Sequence, residues 1–249
     1  MDPDHKGGTN MDDIILKING LTKRYGTKTA LDNVSFEIRR GGIYGFIGEN
    51  GAGKTTTIRA VTGLSDIEQG SVELFGKSDK KGLIEARRKM GCLVERPILE
   101  LHKSAKENLK CQLLLYGRRD DGRIDRLLAR VGLGDVKNKK AADFSLGMKQ
   151  RLGIAMALIN SPELLILDEP VNGLDPMGMV EVRELLLSLC KDDGITIVIS
   201  SHILTELYQL ATDYIMISNG RIISTLTKAE LDKAGSLEEY YMRLLGRCA

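Results

Sequence analysis

Cysteine is scarce: there are four in 249 residues, Cys92, Cys111, Cys190 and Cys248, far apart, in mostly apolar surroundings and without metal-ligand spacing. They read as reduced thiols of a cytosolic protein. Long apolar runs are missing too. The longest charge-free stretches, such as 152–162 and 194–205, are too short to cross a bilayer, and the second carries His202. No secretory apolar region opens the chain. Residues 1–10 are polar and patternless. They read either as a disordered tail or as an added remnant ahead of a natural start at Met11, and they are left out of the fold. A strong excess of one charge is also absent: 36 basic against 34 acidic side chains leave a formal net charge of +2. That balance offers no broad electrostatic case for a nucleic-acid partner. No internal repeat or low-complexity linker interrupts the chain.

What is present is the composition of an ordinary soluble globule, 42% hydrophobic and 28% charged, with room for one large domain or two small ones. Segments 14–18 and 34–38 predict strands bounded by Gly and Asn turns, and 71–75 alternates as a half-exposed strand. Segments 42–47, 90–94, 164–167 and 195–199 are apolar, as strands covered on both faces should be. From about 97 to 161 the texture turns helical, with helices expected over 105–116, 123–131 and 149–160. Further helices are expected over 179–190 and 203–211, and a strand pair over 214–218 and 221–224 around Asn219-Gly220. The pattern is a parallel α/β core with a β-rich start and a helical insertion. The expected division places one domain over 11–249, with its core at about 11–95 and 162–249 and the helical part at about 96–161.

Gly48-Glu49-Asn50-Gly51-Ala52-Gly53-Lys54-Thr55-Thr56 fits G-x-x-x-x-G-K-[ST], the loop that wraps nucleotide phosphates. Its glycines let successive backbone N–H groups point at anionic oxygens, and the helix that follows turns its positive end towards them. Lys54 is expected to reach the β/γ-phosphates and Thr55 to take one Mg²⁺ position. A phosphate loop alone does not define a reaction. Leu164-Leu165-Ile166-Leu167-Asp168-Glu169-Pro170 adds a buried strand ending in two carboxylates, at the edge where open α/β sheets hold ligands. Asp168 can hold Mg²⁺, and Glu169 can orient or deprotonate an attacking water.

Three more pieces follow in order: Phe144-Ser145-Leu146-Gly147-Met148-Lys149-Gln150-Arg151 ahead of a helix, Gly173-Leu174-Asp175-Pro176, and Ser200-Ser201-His202 at the end of an apolar strand. Together, over about 14–226, they resemble the ATP-binding cassette ATPases. The resemblance implies a P-loop NTPase with a RecA-like parallel core, an N-terminal antiparallel β subdomain and a helical insertion. It implies ATP and Mg²⁺ as cofactors, and a head-to-tail pair of such subunits, most simply two copies of this chain. Ser145 and the Gly147 amide would contact the γ-phosphate in the partner's site, although Ser145 also suits a plain helix cap. Tyr25 would stack on adenine, with an ordinary strand tyrosine as the alternative. His202 would sense the γ-phosphate and hold the water for Glu169, and Asp175 would lie at the dimer seam. His5 and His102 gain no role.

Two departures stand out. Glu95 occupies the place of the family's usual glutamine, where it could still reach Mg²⁺ or water but adds negative charge near the phosphates. Leu146 and Met148 stand where glycine and glutamine are commoner. Both departures occur together in the ATPases of the bacitracin-resistance and lantibiotic self-protection exporters, which the chain also resembles through its short C-terminus. The implied function is the power subunit of an exporter. It would sit at the inner face of the cell membrane through a separate transmembrane permease that docks near 95–102. An importer subunit and a non-transport cassette ATPase are the alternatives.

Overall fold

The computed structural model describes residues 13–246, so the reading of 1–10 and the thiol of Cys248 lie outside it. Two sheets form the frame. The first is antiparallel, in the order β2-β1-β4, from β1 (Ile14–Tyr25), β2 (Lys28–Arg39) and β4 (Gln69–Leu74). β1 and β2 run to 12 residues each, well beyond the five-residue strands expected. Asn19-Gly20 reads as a turn, but Gly20 takes φ 60° and the register shifts there, so the strand bulges and continues.

The second sheet has the order β5-β6-β7-β3-β8-β9, from β3 (Ile43–Ile47), β5 (Met90–Leu93), β6 (Leu164–Asp168), β7 (Thr196–Ser201), β8 (Asp213–Ser218) and β9 (Arg221–Thr227). All its pairings are parallel except β8 with β9. Its central strands β3, β6 and β7 are buried throughout because successive residues serve two different cores. Tyr44, Phe46, Leu164, Ile166 and Val198 pack with the antiparallel sheet. Ile43, Ile47, Leu165, Leu167 and Ile199 pack against the helices on the other face.

α1 (Lys54–Thr62) and α2 (Lys80–Arg87) lie on the antiparallel-sheet side, the latter capped by Asp79 and not anticipated from periodicity. The insertion supplies α3 (Ala105–Leu115), α4 (Arg123–Arg130) and α5 (Leu146–Leu158). α5 begins three residues before the expected start, because the Met148 N–H donates to the Ser145 hydroxyl at 3.2 Å and caps it there. The segment Gly147–Arg151 is therefore the opening of the helix, not a loop ahead of it. α6 (Pro176–Asp193) and α7 (Leu204–Leu210) separate β6, β7 and β8. The short C-terminus is more structured than its length suggests. α8 (Lys228–Ala234) and α9 (Leu237–Leu244) bury Leu231, Leu237 and Tyr241 in the helical core. Of the described cysteines, Cys92 is exposed while Cys111 and Cys190 are half-buried, and Cys92 lines a groove together with Met90, Leu93, Val94 and Pro97.

Two local features place the insertion. Ser104 and Glu107 form a reciprocal cap on α3, with the Ser104 N–H donating to Glu107 Oε2 at 2.7 Å and the Glu107 N–H to Ser104 Oγ at 3.2 Å. The Ser104 N–H, and the Ser104 hydroxyl that donates to the same Oε2 at 2.8 Å, hold the Glu107 carboxyl below the usual carboxylate range. At the core, β5 and α5 touch through backbone: a Cβ on Gly91 would lie 2.3 Å from the Ala157 carbonyl oxygen. Gly91→Ala should therefore lower stability by about 1–3 kcal/mol, read as an earlier urea midpoint with an unchanged slope. Ser104→Ala should cost about 1 kcal/mol and move the Glu107 titration back up, a shift visible by NMR.

Candidate active site

The phosphate loop leaves the central strand β3 and closes on α1. Glycine is required twice for steric reasons. A Cβ on Gly48 would meet the Ile217 carbonyl at 2.7 Å, and Gly53, at φ 117°, would meet Leu31 at 2.8 Å. The Ala52 N–H donates to the Glu49 carbonyl at 3.0 Å, so Ala52 shapes the loop from inside it. Asn50 and Gly51 are exposed at its tip, and Thr56 is half-buried behind Thr55.

Lys54 is 6% exposed, and its ammonium donates to the Gly48 carbonyl at 2.6 Å. It also stands 3.3 Å from Glu169 Oε1. Glu169 follows β6 with φ 51°, a left-handed conformation that turns the chain away from the strand line. Its N–H donates to Ser200 Oγ at 3.0 Å, and its Oε2 lies 2.8 Å from His202 Nδ1. Asp168 is 1% exposed yet fully engaged: Thr55 Oγ1 donates to Oδ2 at 2.8 Å and Ser200 Oγ to Oδ1 at 2.5 Å. Residues from α1, the end of β6 and the end of β7 thus meet at the carboxyl edge of the parallel sheet.

Thr55 Oγ1 and Asp168 Oδ2 are two hard oxygen donors side by side, the set a small divalent cation such as Mg²⁺ takes together with phosphate oxygens and water. Among the described residues no group of three or more His, Cys, Asp or Glu could hold a metal by itself. The residues fit a cation that is shared with a bound phosphate.

The other expected site residues are not part of this cluster. Tyr25 ends β1, is 49% exposed and has the Lys23 ammonium 5.5 Å from its ring centre. Ser145 caps α5, and Asp175 caps α6 by accepting from the Gly178 N–H at 3.0 Å. These two helix starts adjoin: a Cβ on Gly173 would touch Leu146 at 3.3 Å and one on Gly147 would touch Leu174 at 3.9 Å. Glu95 is exposed beyond β5 and forms an ion pair with Arg59 of α1. Two participants escaped the sequence reading. Ser200 stands in the motif that ends with His202, but its bond to Asp168 follows from the β6–β7 register, which sets Asp168 opposite Ser200. Arg59 carried no signal.

Residues 31–172 match the ABC transporter family. The chain is 46% identical over 219 residues to the bacitracin transport ATP-binding protein BcrA of Bacillus licheniformis, covering 88% of this chain and 72% of that protein. It is 45% identical over 227 residues to the lantibiotic transport ATP-binding protein SrtF of Streptococcus pyogenes, covering 91% and 96%. An ATP-binding subunit of an ABC transporter superposes with a TM-score of 0.82 at 30% identity, over 93% of this chain and 99% of that one. The cassette MJ0796, solved as a dimer in a post-hydrolysis state with ADP and Pi, superposes at 0.76 with 26% identity, over 86% and 99%. The chain belongs to the ABC transporter family and is one of its ATP-binding, ATP-hydrolysing cassettes.

Proposed function

We propose that this cassette powers a separate membrane-spanning permease that exports an antimicrobial peptide or drug of the lantibiotic or bacitracin type. The names of two relatives more than 40% identical support the substrate class. The observation that carries the chemistry is the convergence of Lys54, Glu169 and His202 beside the Thr55–Asp168 pair.

The phosphate loop binds ATP through the N–H groups of 48–56, with the adenine on Tyr25. Phosphate oxygens compete for the Lys54 ammonium that Glu169 and the Gly48 carbonyl share. Mg²⁺, held by Thr55 and Asp168, would neutralise charge building on the transferred phosphoryl group, and Glu95 would reach it only by turning from Arg59. Glu169 accepts the proton of the attacking water, and His202 orients that water against it. Ser200 holds the Asp168 carboxylate and the Glu169 backbone in one geometry. Ser145 and Gly147, on the exposed start of α5, complete the site of a second copy, with Asp175 at the seam between them.

A groove of about 370 Å³ lies between β5 and the helices α3 and α5, lined by residues that include Val94, Pro97, Ile98, Tyr116 and Met156. Ile98 is 92% exposed beside it, and Leu115 of α3 is 82% exposed. That surface is the proposed seat of the permease at the inner face of the membrane. Among the described residues no helix is long and apolar enough to cross a membrane.

Glu169→Gln should lower ATP turnover by about 100-fold or more while ATP binding persists. Light scattering should then find a dimer that requires ATP; turnover near wild type would remove Glu169 from the base role. Ile98→Asp should abolish co-purification with the permease subunit while the isolated cassette still binds ATP.

A further inference from the structure

Glu95 presents an electrostatic problem that the ATP site alone does not solve. β5 runs parallel to β6 with Leu93 opposite Leu167, so the chain that carries Glu95 leaves the same carboxyl edge of the sheet that carries Asp168 and Glu169. Glu95 adds a carboxylate on the side of the fold that must also receive a triphosphate. The wider family resemblance puts a neutral glutamine at the first of these positions. Glu95 also takes φ 63°, a left-handed conformation that a side chain with a Cβ adopts only when its surroundings hold it.

Arg59 meets both demands. It lies five residues after Lys54 on α1, roughly 7.5 Å along the helix from the phosphate loop. Its Nη2 donates to Glu95 Oε1 in an ion pair. Arg59 engages one carboxylate oxygen and leaves Oε2 for other donors. Both side chains are partly solvated, with Arg59 43% and Glu95 57% exposed, so the pair is not a core contact on which folding depends. It also joins two working parts: α1, which opens with the phosphate loop, and the segment that continues from Glu95 to Pro97 and Ile98 in the groove.

We propose that Arg59 is a positioning residue that pairs with and orients Glu95, and so lets this cassette carry an acidic side chain where the wider family resemblance puts an amide. The inference rests on the ATP-site reading above. Its test is a double-substitution cycle on the full chain, read by titration with a fluorescent ATP analogue with and without Mg²⁺. Arg59→Gln should weaken binding of the Mg²⁺ complex about fivefold in the wild-type background, because it leaves Glu95 uncompensated. In the Glu95→Gln background the same substitution should change the affinity less than twofold. Arg59→Lys, which keeps the charge, should recover most of the loss. Thermal melts identify any variant that does not fold; should Arg59→Gln be one, Arg59→Met replaces it in both backgrounds, and the cycle is read in the same way.

Equal weakening in both backgrounds would assign Arg59 a general structural or direct nucleotide role and overturn the inference. Wild-type affinity in Arg59→Gln would overturn it as well. Failure of the ATP-site reading itself looks different: the unsubstituted chain would not bind the analogue, or Glu169→Gln would turn over normally.

Discussion

A carboxyl group with 1% exposure is costly to bury unless other groups replace the hydrogen bonds that water gave it. Asp168 obtains those groups from two different parts of the chain, the Thr55 hydroxyl at the start of α1 and the Ser200 hydroxyl near the end of β7. The phosphate loop, the β6 edge and the β7 edge are thereby fixed to one another before any nucleotide arrives. Glu169 inherits its place from this arrangement, since its N–H rests on the same Ser200 hydroxyl and its carboxylate spans Lys54 and His202. The strand order serves the same end: β7 lies between β6 and β3, so the three contributing strand ends are neighbours.

Much of this was legible in the sequence where chemistry and spacing coincide. The glycines of the phosphate loop, the acidic end of β6 and the histidine after β7 sit in motifs short enough to read locally. Helix starts were harder, because a cap depends on one side-chain bond: α5 starts at Leu146 through Ser145, earlier than its apolar period shows. α2 was missed because its apolar face is small, with only Gly82 and Ala86 buried. β1 and β2 were read as short because a bulge looks like a turn until pairing is known. Ser200 and Arg59 were missed for a deeper reason. Each matters through a partner more than 30 residues away: strand register brings Ser200 to Asp168, and the packing of α1 beside the end of β5 brings Arg59 to Glu95.

The proposed dimer divides the labour between two halves of one chain. In it the cluster around Asp168 would supply phosphate binding and the base, while the adjoining starts of α5 and α6, with Leu146 against Gly173 and Leu174 beside Gly147, would serve the opposing copy. A site assembled this way would be complete only when two subunits meet, which would tie hydrolysis to association. The departures at Leu146 and Met148 leave that geometry in place, since Ser145 still caps the helix and Gly147 still leaves the surface open.

The backbone contact between Gly91 and Ala157 has a geometric consequence. α5 is a 13-residue helix, roughly 20 Å long. One end carries Ser145, and the other sets its Ala157 carbonyl against the strand that leads to Glu95, with Gly153 and Met156 along the groove. In the proposed assembly a permease seated in that groove and the nucleotide of a second copy would lie towards opposite ends of one helix, and the glycine at the contact leaves no side chain between helix and strand.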